Sequence, residues 1–189
     1  MENQSDALPL NPPFSGPLRI DVVTTPAGGG IGMCHCPGRR GRDSGGQMWD
    51  RDLHSDIAVI NTWQPDVVIS LIETREFTSL GVPDLANVMS HHWAHWYHVP
   101  IPDMHPPDAA ALAAWNQAGP TVLSVLQRGG RVVIHCAAGL GRTGTIAAKL
   151  LIALGNTANE AITAVRAARP GTIETLEQEA FVRTGRALN

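Results

Sequence analysis

One passage in the second half of the chain constrains the fold more than any other. Residues 131–136 (RVVIHC) are apolar and rich in β-branched side chains, which is typical of a buried strand. Five residues separate the cysteine that ends this strand, Cys136, from Arg142, and a helical pattern then runs over residues 143–154. So short a connection must turn sharply, and Gly139 and Gly141 permit the backbone conformations that such a turn needs. The passage predicts a strand–loop–helix unit.

The rest of the chain alternates predicted strands with predicted helices, which favours a layered α/β or α+β domain. Further strands are predicted over residues 19–24 and 67–72, a strand or extended aromatic segment over 92–100, and further helices over 50–63, 83–89, 108–127, 158–168 and 174–186. Residues 28–46 are rich in glycine and are predicted to form one long loop. Residues 1–17 contain four prolines and are predicted to be a tail or extended segment, which leaves residues 18–189 as the folded domain.

Composition limits the classes of protein to which the chain can belong. Its 189 residues fit one domain, and a net charge of −3 argues against a dedicated nucleic-acid binder. The three cysteines are too few for a disulfide framework and indicate a reducing compartment. The acidic, polar N-terminus does not resemble a signal peptide, and Lys149 interrupts the most apolar stretch. We therefore expect a cytoplasmic protein with no membrane partner and no nucleic-acid partner, and the sequence leaves its oligomeric state open.

The loop after Cys136 has the residue types of an anion site. Its backbone N–H groups can all point inward, and the N-terminus of the following helix adds partial positive charge. Arg142 can bind two phosphate oxygens with its planar fork, and such surroundings favour the thiolate form of Cys136. Thr143 can donate a hydrogen bond to the sulfur. The predicted phosphate-binding residues are Ala137, Ala138, Gly139, Leu140, Gly141 and Arg142.

These residues carry a resemblance to a known family. His135-Cys136-x5-Arg142-Thr143 resembles the signature His-Cys-x5-Arg-Ser/Thr of the cysteine-dependent protein tyrosine and dual-specificity phosphatases. Residues 32–38, 74–77, 82–85, 100–103 and 169–178 are similar to the corresponding stretches of the kinase-associated phosphatase (cyclin-dependent kinase inhibitor 3) group. The resemblance covers roughly residues 20–185. It implies a single-domain α/β fold with a central mixed sheet flanked by helices.

The resemblance also implies a two-step hydrolysis of phosphate monoesters without a metal or other cofactor. Cys136 would attack phosphorus, and Asp103, about 30 residues upstream, would be the general acid, with Asp108 as the rival candidate. His135 would support the cysteine, and Gln178 would position the water of the second step. A phosphoprotein or phosphopeptide would be the substrate, with phosphotyrosine preferred.

Several alternatives remain open beside this interpretation. The segment GLGRTG (residues 139–144) also fits a dinucleotide-binding fingerprint, but the predicted helix over residues 158–168 stands where a second strand is needed. Cys34-His35-Cys36 lacks the spacing of a committed zinc site. A sulfur-transfer domain would not require the arginine. An inactive phosphate-binding module and a phosphoinositide phosphatase are the remaining functional alternatives.

Two groups of side chains near these motifs have both a structural and a functional interpretation. The aromatic residues could form a substrate wall, but at this density core packing is favoured; they are Trp93, Trp96 and Tyr97. The arginines of the glycine-rich segment could add charge at the mouth of the site, but we expect them on a solvated loop; they are Arg39, Arg40 and Arg42.

Overall fold

The computed structural model of the chain describes residues 16–184 and residue 188. The main sheet has five strands in the order β1-β2-β7-β5-β6, in which β1 is antiparallel to β2 and the other neighbours are parallel. The strands of this sheet are β1 (Asp21–Thr24), β2 (Gly30–Cys34), β5 (Val67–Ser70), β6 (Trp96–His98) and β7 (Arg131–His135), and a separate hairpin joins β3 (Arg40–Arg42) to β4 (Met48–Asp50). The central mixed sheet expected from the sequence is confirmed.

Seven helices accompany the strands in the described part of the chain. They are α1 (Leu53–Trp63), α2 (Glu76–Ser79), α3 (Leu85–His92), α4 (Ala109–Gln127), α5 (Gly141–Ala153), α6 (Ala158–Ala168) and α7 (Leu176–Thr184). All but the four-residue α2 correspond to predicted helices, although α3 ends later than expected. The predicted last helix reached Arg186, which lies outside the described residues, as do residues 1–15 of the predicted N-terminal segment.

The glycine-rich segment is not one long loop, and this prediction is wrong. Its residues 30–34 form β2, which lies inside the sheet between β1 and β7. Gly30 and Gly32 leave room on one face for the ring of Trp63, to which a Cβ at either position would come within 3.3 Å. Ile31 and Met33 point to the other face and are fully buried. The ring of Trp63 therefore fills the space that side chains at these two glycines would occupy. This tertiary packing overrides the low preference of glycine for strands.

The carboxyl ends of the three central strands lie together at one end of the sheet. β2, β7 and β5 run parallel in register, so that Cys34 pairs with His135 and Ser70 pairs with His135 from the other side. In an open sheet of parallel strands, ligands bind beyond the carboxyl ends of the strands. β7 ends at His135 and α5 begins at Gly141, so the predicted phosphate-binding loop lies at this end.

Within the described part of the chain, no helix is both long enough and apolar enough to cross a membrane.

Candidate active site

The loop between β7 and α5 turns four consecutive carbonyl groups outward. Ala137 O accepts from the Cys36 amide at 3.2 Å, and Leu140 O accepts from the Gly144 amide at 2.8 Å. The carbonyl oxygens of Ala138 and Gly139 accept from an arginine side chain at 3.0 and 2.7 Å. In a trans peptide the N–H of the next residue points away from the carbonyl oxygen. The amides of residues 138–140 therefore point to the inner side, where together they form a cradle for an anion, whereas the Gly141 amide already donates to the Glu174 carboxylate.

The arginine that holds two of these carbonyls is Arg169, which follows α6. Its Nε donates to Gly139 O and its Nη2 donates to Ala138 O, while Nη1 donates to Asp21 Oδ2 at 2.7 Å. Asp21 lies on the edge strand β1, so Arg169 links the loop to this strand. Sequence reasoning placed Arg169 only within a stretch similar to a known group and gave it no role.

Arg39 holds the first of the outward carbonyls. Its Nη1 donates to Ala137 O at 3.0 Å, and its guanidinium stacks over the ring of Trp49 at 4.2 Å. Only 6% of Arg39 is exposed, so the expectation of a solvated loop is wrong for this residue, because the Trp49 ring and the loop between β7 and α5 enclose it. Arg40 and Arg42 are exposed as expected, but they lie on the strand β3 and not on a loop.

Cys136 lies at the floor of the cradle. Its Sγ accepts a hydrogen bond from the Gly139 amide at 3.2 Å, and the residue is 3% exposed. The N-terminus of α5 faces the same space, and Leu140, which precedes the helix, provides no side-chain cap for its first amides. Thr143 is fully buried, but its Oγ1 makes no hydrogen bond to any described residue, so the predicted bond to the sulfur is not formed here.

Arg142 binds two carboxylates at once. Nη1 donates to Glu76 Oε2 at 2.6 Å and Nη2 donates to Glu76 Oε1 at 2.9 Å, which is a bidentate pair. Nη2 also contacts Asp103 Oδ1 at 2.8 Å. Burial opposes the charge of Arg142, but the hydrogen bonds that it donates to Glu76 and its electrostatic attraction to Cys136, Glu76 and Asp103 outweigh burial and raise the pKa of the guanidinium.

The two aspartates proposed as general acid differ in position. Asp103 reaches Arg142, and 57% of its side chain is exposed, so it faces both the site and solvent. Asp108 caps α4, where its Oδ1 accepts from the Ala111 amide at 2.8 Å. Asp103 thus lies at the site, whereas Asp108 is engaged as the N-cap of α4.

Glu76 is a site residue that sequence reasoning missed. It lies in the short helix α2, which was not predicted, and it is separated from its partner Arg142 by 66 positions. Its Oε2 also accepts from the Glu73 amide at 2.7 Å, and this hydrogen bond helps to orient the carboxylate toward Arg142. The signal in the sequence was the similarity of residues 74–77 to a known group, and nothing there pointed to an ion pair.

Gln178 is fully buried beside the start of α5. Its Oε1 accepts from the amides of Glu174 and Thr175, and its Nε2 donates to His105 O at 3.4 Å. It therefore connects the segment before α7 with the acid loop, the connection between β6 and α4 that carries Asp103 and His105. Glu174 itself accepts the Gly141 amide on Oε2 at 2.7 Å, so a carboxylate contacts one of the amides predicted to bind phosphate.

An open cleft of about 470 Å³ adjoins the cradle. Arg39, Arg42, Glu76, Asp103 and Ala137 are among the residues that line it. The three aromatic residues considered as a substrate wall do not line this cleft; Trp93 belongs to the core, and Trp96 and Tyr97 pack against it.

Cys34 and Cys36 lie close behind the loop and are fully buried. Burial raises the pKa of Cys34 to about 12 and also raises that of Cys36. Among the described residues, no group of three His, Cys, Asp or Glu side chains is arranged to hold a metal ion.

Comparison with known proteins decides the family. Residues 66–182 match the model of the PTP-SAK family, described as the Swiss Army Knife protein, DSP-PTPase phosphatase domain. The chain belongs to this phosphatase family. It is therefore a dual-specificity or tyrosine phosphatase domain, a hydrolase of phosphoric monoesters.

Curated relatives and a solved structure agree with this assignment. Cyclin-dependent kinase inhibitor 3 of Sus scrofa is 28% identical over 151 residues, which cover 78% of this chain and 68% of that protein. Tyrosine-protein phosphatase CDC14 of Saccharomyces cerevisiae is 49% identical over 51 residues, 26% of this phosphatase and 9% of its relative. The crystal structure of kinase associated phosphatase with its catalytic-site cysteine replaced by serine has the same fold, with a TM-score of 0.75 and 23% identity, covering 88% of this chain and 93% of that one.

Proposed function

We propose that this phosphatase hydrolyses phosphorylated side chains of proteins, phosphotyrosine foremost, with Cys136 as the nucleophile. The observation that supports this most is the loop geometry. Four outward carbonyls leave inward amides around the buried Cys136 Sγ, and Arg142 stands at the end of the same loop. Such donors stabilise the charge that develops on the equatorial oxygens in the transition state.

In the first step, the Cys136 thiolate forms a bond to phosphorus while the bond to the leaving oxygen breaks. Asp103 gives its proton to that oxygen, so the product leaves as an alcohol or phenol. Within the described residues Arg142 Nε has no partner, whereas Nη2 contacts Asp103. A phosphate bound by Nε and Nη2 would displace Asp103 from the arginine and release it toward the leaving group. Glu76 would keep its bonds to Nη1 and to the other hydrogen of Nη2.

In the second step, water attacks phosphorus and the bond to Cys136 breaks. Asp103, now deprotonated, accepts the proton of the water, and inorganic phosphate and the thiolate result. Gln178 would position this water, but both of its polar atoms already bind backbone groups. The step therefore requires Gln178 Nε2 to exchange its long bond to His105 O for one to water.

The substrate class follows from the residues of the loop itself. The variable loop residues Ala137, Ala138 and Leu140 are uncharged, so the loop itself offers groups for one phosphate. A phosphorylated side chain fits this site better than an inositol ring with several phosphates. The inactive phosphate-binding module is disfavoured because such a module would be expected to lack the cysteine, the arginine or the acid, and all three are present.

Hydrolysis of a small aryl phosphate in the presence of a metal chelator tests the proposal. Cys136→Ser should abolish turnover and keep phosphate binding, and Arg142→Lys should lose most activity, because lysine keeps the charge without the planar fork. Full activity in Cys136→Ser, or loss of activity in chelator, would contradict the proposal.

The substrate class has a separate test. Values of kcat/KM on phosphotyrosine peptides, phosphothreonine peptides and soluble phosphoinositides should be highest for phosphotyrosine. A higher value for the phosphoinositides would show that the single-phosphate argument is wrong.

A further inference from the structure

A line of three buried or half-buried polar groups lies behind the nucleophile. Trp96 Nε1 donates to Ser70 Oγ at 2.9 Å, and Ser70 Oγ lies 2.7 Å from His135 Nε2. On the other side of the ring, His135 Nδ1 lies 3.4 Å from the carbonyl oxygen of Cys136. Sheet register brings the three together, because Ser70 is paired with His135 on β7 and with His98 on β6, two residues beyond Trp96.

The donors and acceptors in this line determine where the proton of the imidazole lies. The indole N–H of Trp96 can only donate, so Ser70 Oγ accepts from it. Ser70 Oγ keeps a second lone pair and its own hydrogen, so it can either accept from His135 Nε2 or donate to it. The Cys136 carbonyl on the other side of the ring can only accept, so a neutral ring that bonds to it carries its hydrogen on Nδ1 and accepts from Ser70 at Nε2. All these groups are satisfied in this one arrangement.

The surroundings keep the ring neutral. Burial, and to a smaller extent the neighbouring His35, Arg142 and His98, lower the pKa of His135 to about 3, against the opposing effect of the backbone hydrogen bond to Cys136. His98 also stacks parallel to the Trp96 ring at 6.2 Å between centroids, and this contact orients the indole. With the protonated ring disfavoured, the choice left to His135 is between two neutral tautomers.

We propose that Ser70 and Trp96 are positioning residues that lock His135 as the Nδ1–H tautomer and thereby hold the Cys136 carbonyl away from the phosphate cradle. In the other tautomer, a lone pair on Nδ1 would face the lone pairs of the carbonyl, and the peptide that begins the loop would lose its anchor. The inference rests on the role of Cys136 as the nucleophile. It gives Trp96 a role in the interior in place of the substrate wall.

Nitrogen-15 NMR of ring-labelled protein tests this directly, because protonated and unprotonated ring nitrogens resonate far apart. Comparison with His135→Asn assigns the signals. In the unaltered protein we expect Nδ1 of His135 to be protonated and Nε2 to be bare at neutral pH. A ring protonated at Nε2, or at both nitrogens, would overturn the proposal whatever the variants do.

Two variants test the link to catalysis. Ser70→Ala removes the donor to Nε2, and Trp96→Phe removes the indole N–H that orients the Ser70 hydroxyl toward Nε2, so both should populate the second tautomer. We expect kcat on an aryl phosphate to fall about tenfold in Ser70→Ala and less in Trp96→Phe. Unchanged kcat in both, with folded protein, would overturn the positioning role.

Trp115→Phe is the matched control. Trp115 is buried in α4, and its Nε1 donates to no described residue, so the variant loses an indole N–H without breaking a hydrogen bond. It should keep both the tautomer and kcat. Cys136→Ser separates this inference from the proposed function: it should abolish turnover and leave His135 protonated at Nδ1.

Discussion

Arg142 shares its guanidinium between Glu76, which grips it from α2, and Asp103, which approaches it from the acid loop. The Glu76 pair is bidentate and buried, whereas the Asp103 carboxylate is more than half exposed. We therefore expect the Glu76 pair to persist when substrate binds and the exposed Asp103 contact to break.

Replacing the acid should slow the reaction according to the leaving group. Asp103→Asn should lower kcat/KM, which reports the first step, by ~10²–10⁴ for phosphoserine-like substrates, whose alkoxides leave poorly without a proton. The loss should be much smaller for aryl phosphates with acidic phenols. Rates measured across a series of leaving groups check this.

Asp108→Asn is the matched control for Asp103→Asn. Asparagine also caps helices well, so α4 should keep its start. A larger, leaving-group-dependent loss in Asp108→Asn than in Asp103→Asn would transfer the acid role to Asp108.

Arg169→Lys tests the outward anchoring of the loop carbonyls. Lysine keeps the charge but cannot bind Ala138 O, Gly139 O and Asp21 together, as the guanidinium does. Charge-assisted hydrogen bonds are worth about 1.5–3 kcal/mol, so we expect kcat/KM to fall roughly 10–100-fold. Arg183→Lys, on the exposed side of α7, is the control and should keep full activity. Equal activity of the two variants would show that the anchoring is dispensable.

At the scale of secondary-structure elements, the end of β2 packs closely against the loop between β7 and α5. A Cβ at Gly139, where φ is +73°, would lie 2.3 Å from the carbonyl oxygen of Cys34. At Gly28, where φ is +84°, nothing lies within 4 Å of such a Cβ. The two glycines share the left-handed conformation and differ in their neighbours.

This pair separates conformational strain from steric contact. Gly28→Ala should cost only the left-handed conformation, about 1–2 kcal/mol of unfolding free energy. Gly139→Ala should cost clearly more, because the backbone of β2 must move, and it should also reduce activity. Urea unfolding of both variants measures the difference, and equal losses would contradict the close junction.

The elements that the sequence predicted well are those whose own residues determine them. β7, α5 and the five-residue loop between them follow from apolar pattern, spacing and glycine. β2 was hidden because its strand faces are completed by Trp63, which lies about thirty positions later in the chain. Glu76 and Arg169 were missed for the same reason: their partners lie 66 and up to 148 positions away. Such contacts leave no mark in local pattern.

For the molecule as a whole, two buried histidines make stability depend on pH. Burial lowers the pKa of His35 to about 4 and that of His135 to about 3, against an ordinary value of 6.5. As the pH falls below 6.5, the unfolded chain takes up protons at both residues and the folded chain does not. The two histidines therefore do not affect the free energy of unfolding well above pH 6.5. They reduce it progressively as the pH falls toward 4.

Each histidine should remove about 1.4 kcal/mol of unfolding free energy between pH 7.5 and pH 5.5. Urea unfolding at the two pH values measures the sum. His35→Asn and His135→Asn should each reduce this dependence by about half, whatever their effect on stability at pH 7.5. A dependence unchanged in both variants would assign it to other groups.

Direct detection of phosphocysteine is the sharpest test of the whole account. In Asp103→Asn, an aryl phosphate should still drive the first step, while the second step lacks its base, so the intermediate should accumulate. After a rapid denaturing quench in chelator, mass spectrometry of the tryptic peptide of residues 132–142 should find phosphate on Cys136. Turnover with phosphate on a different residue, or with none on this peptide in the steady state, would contradict the account.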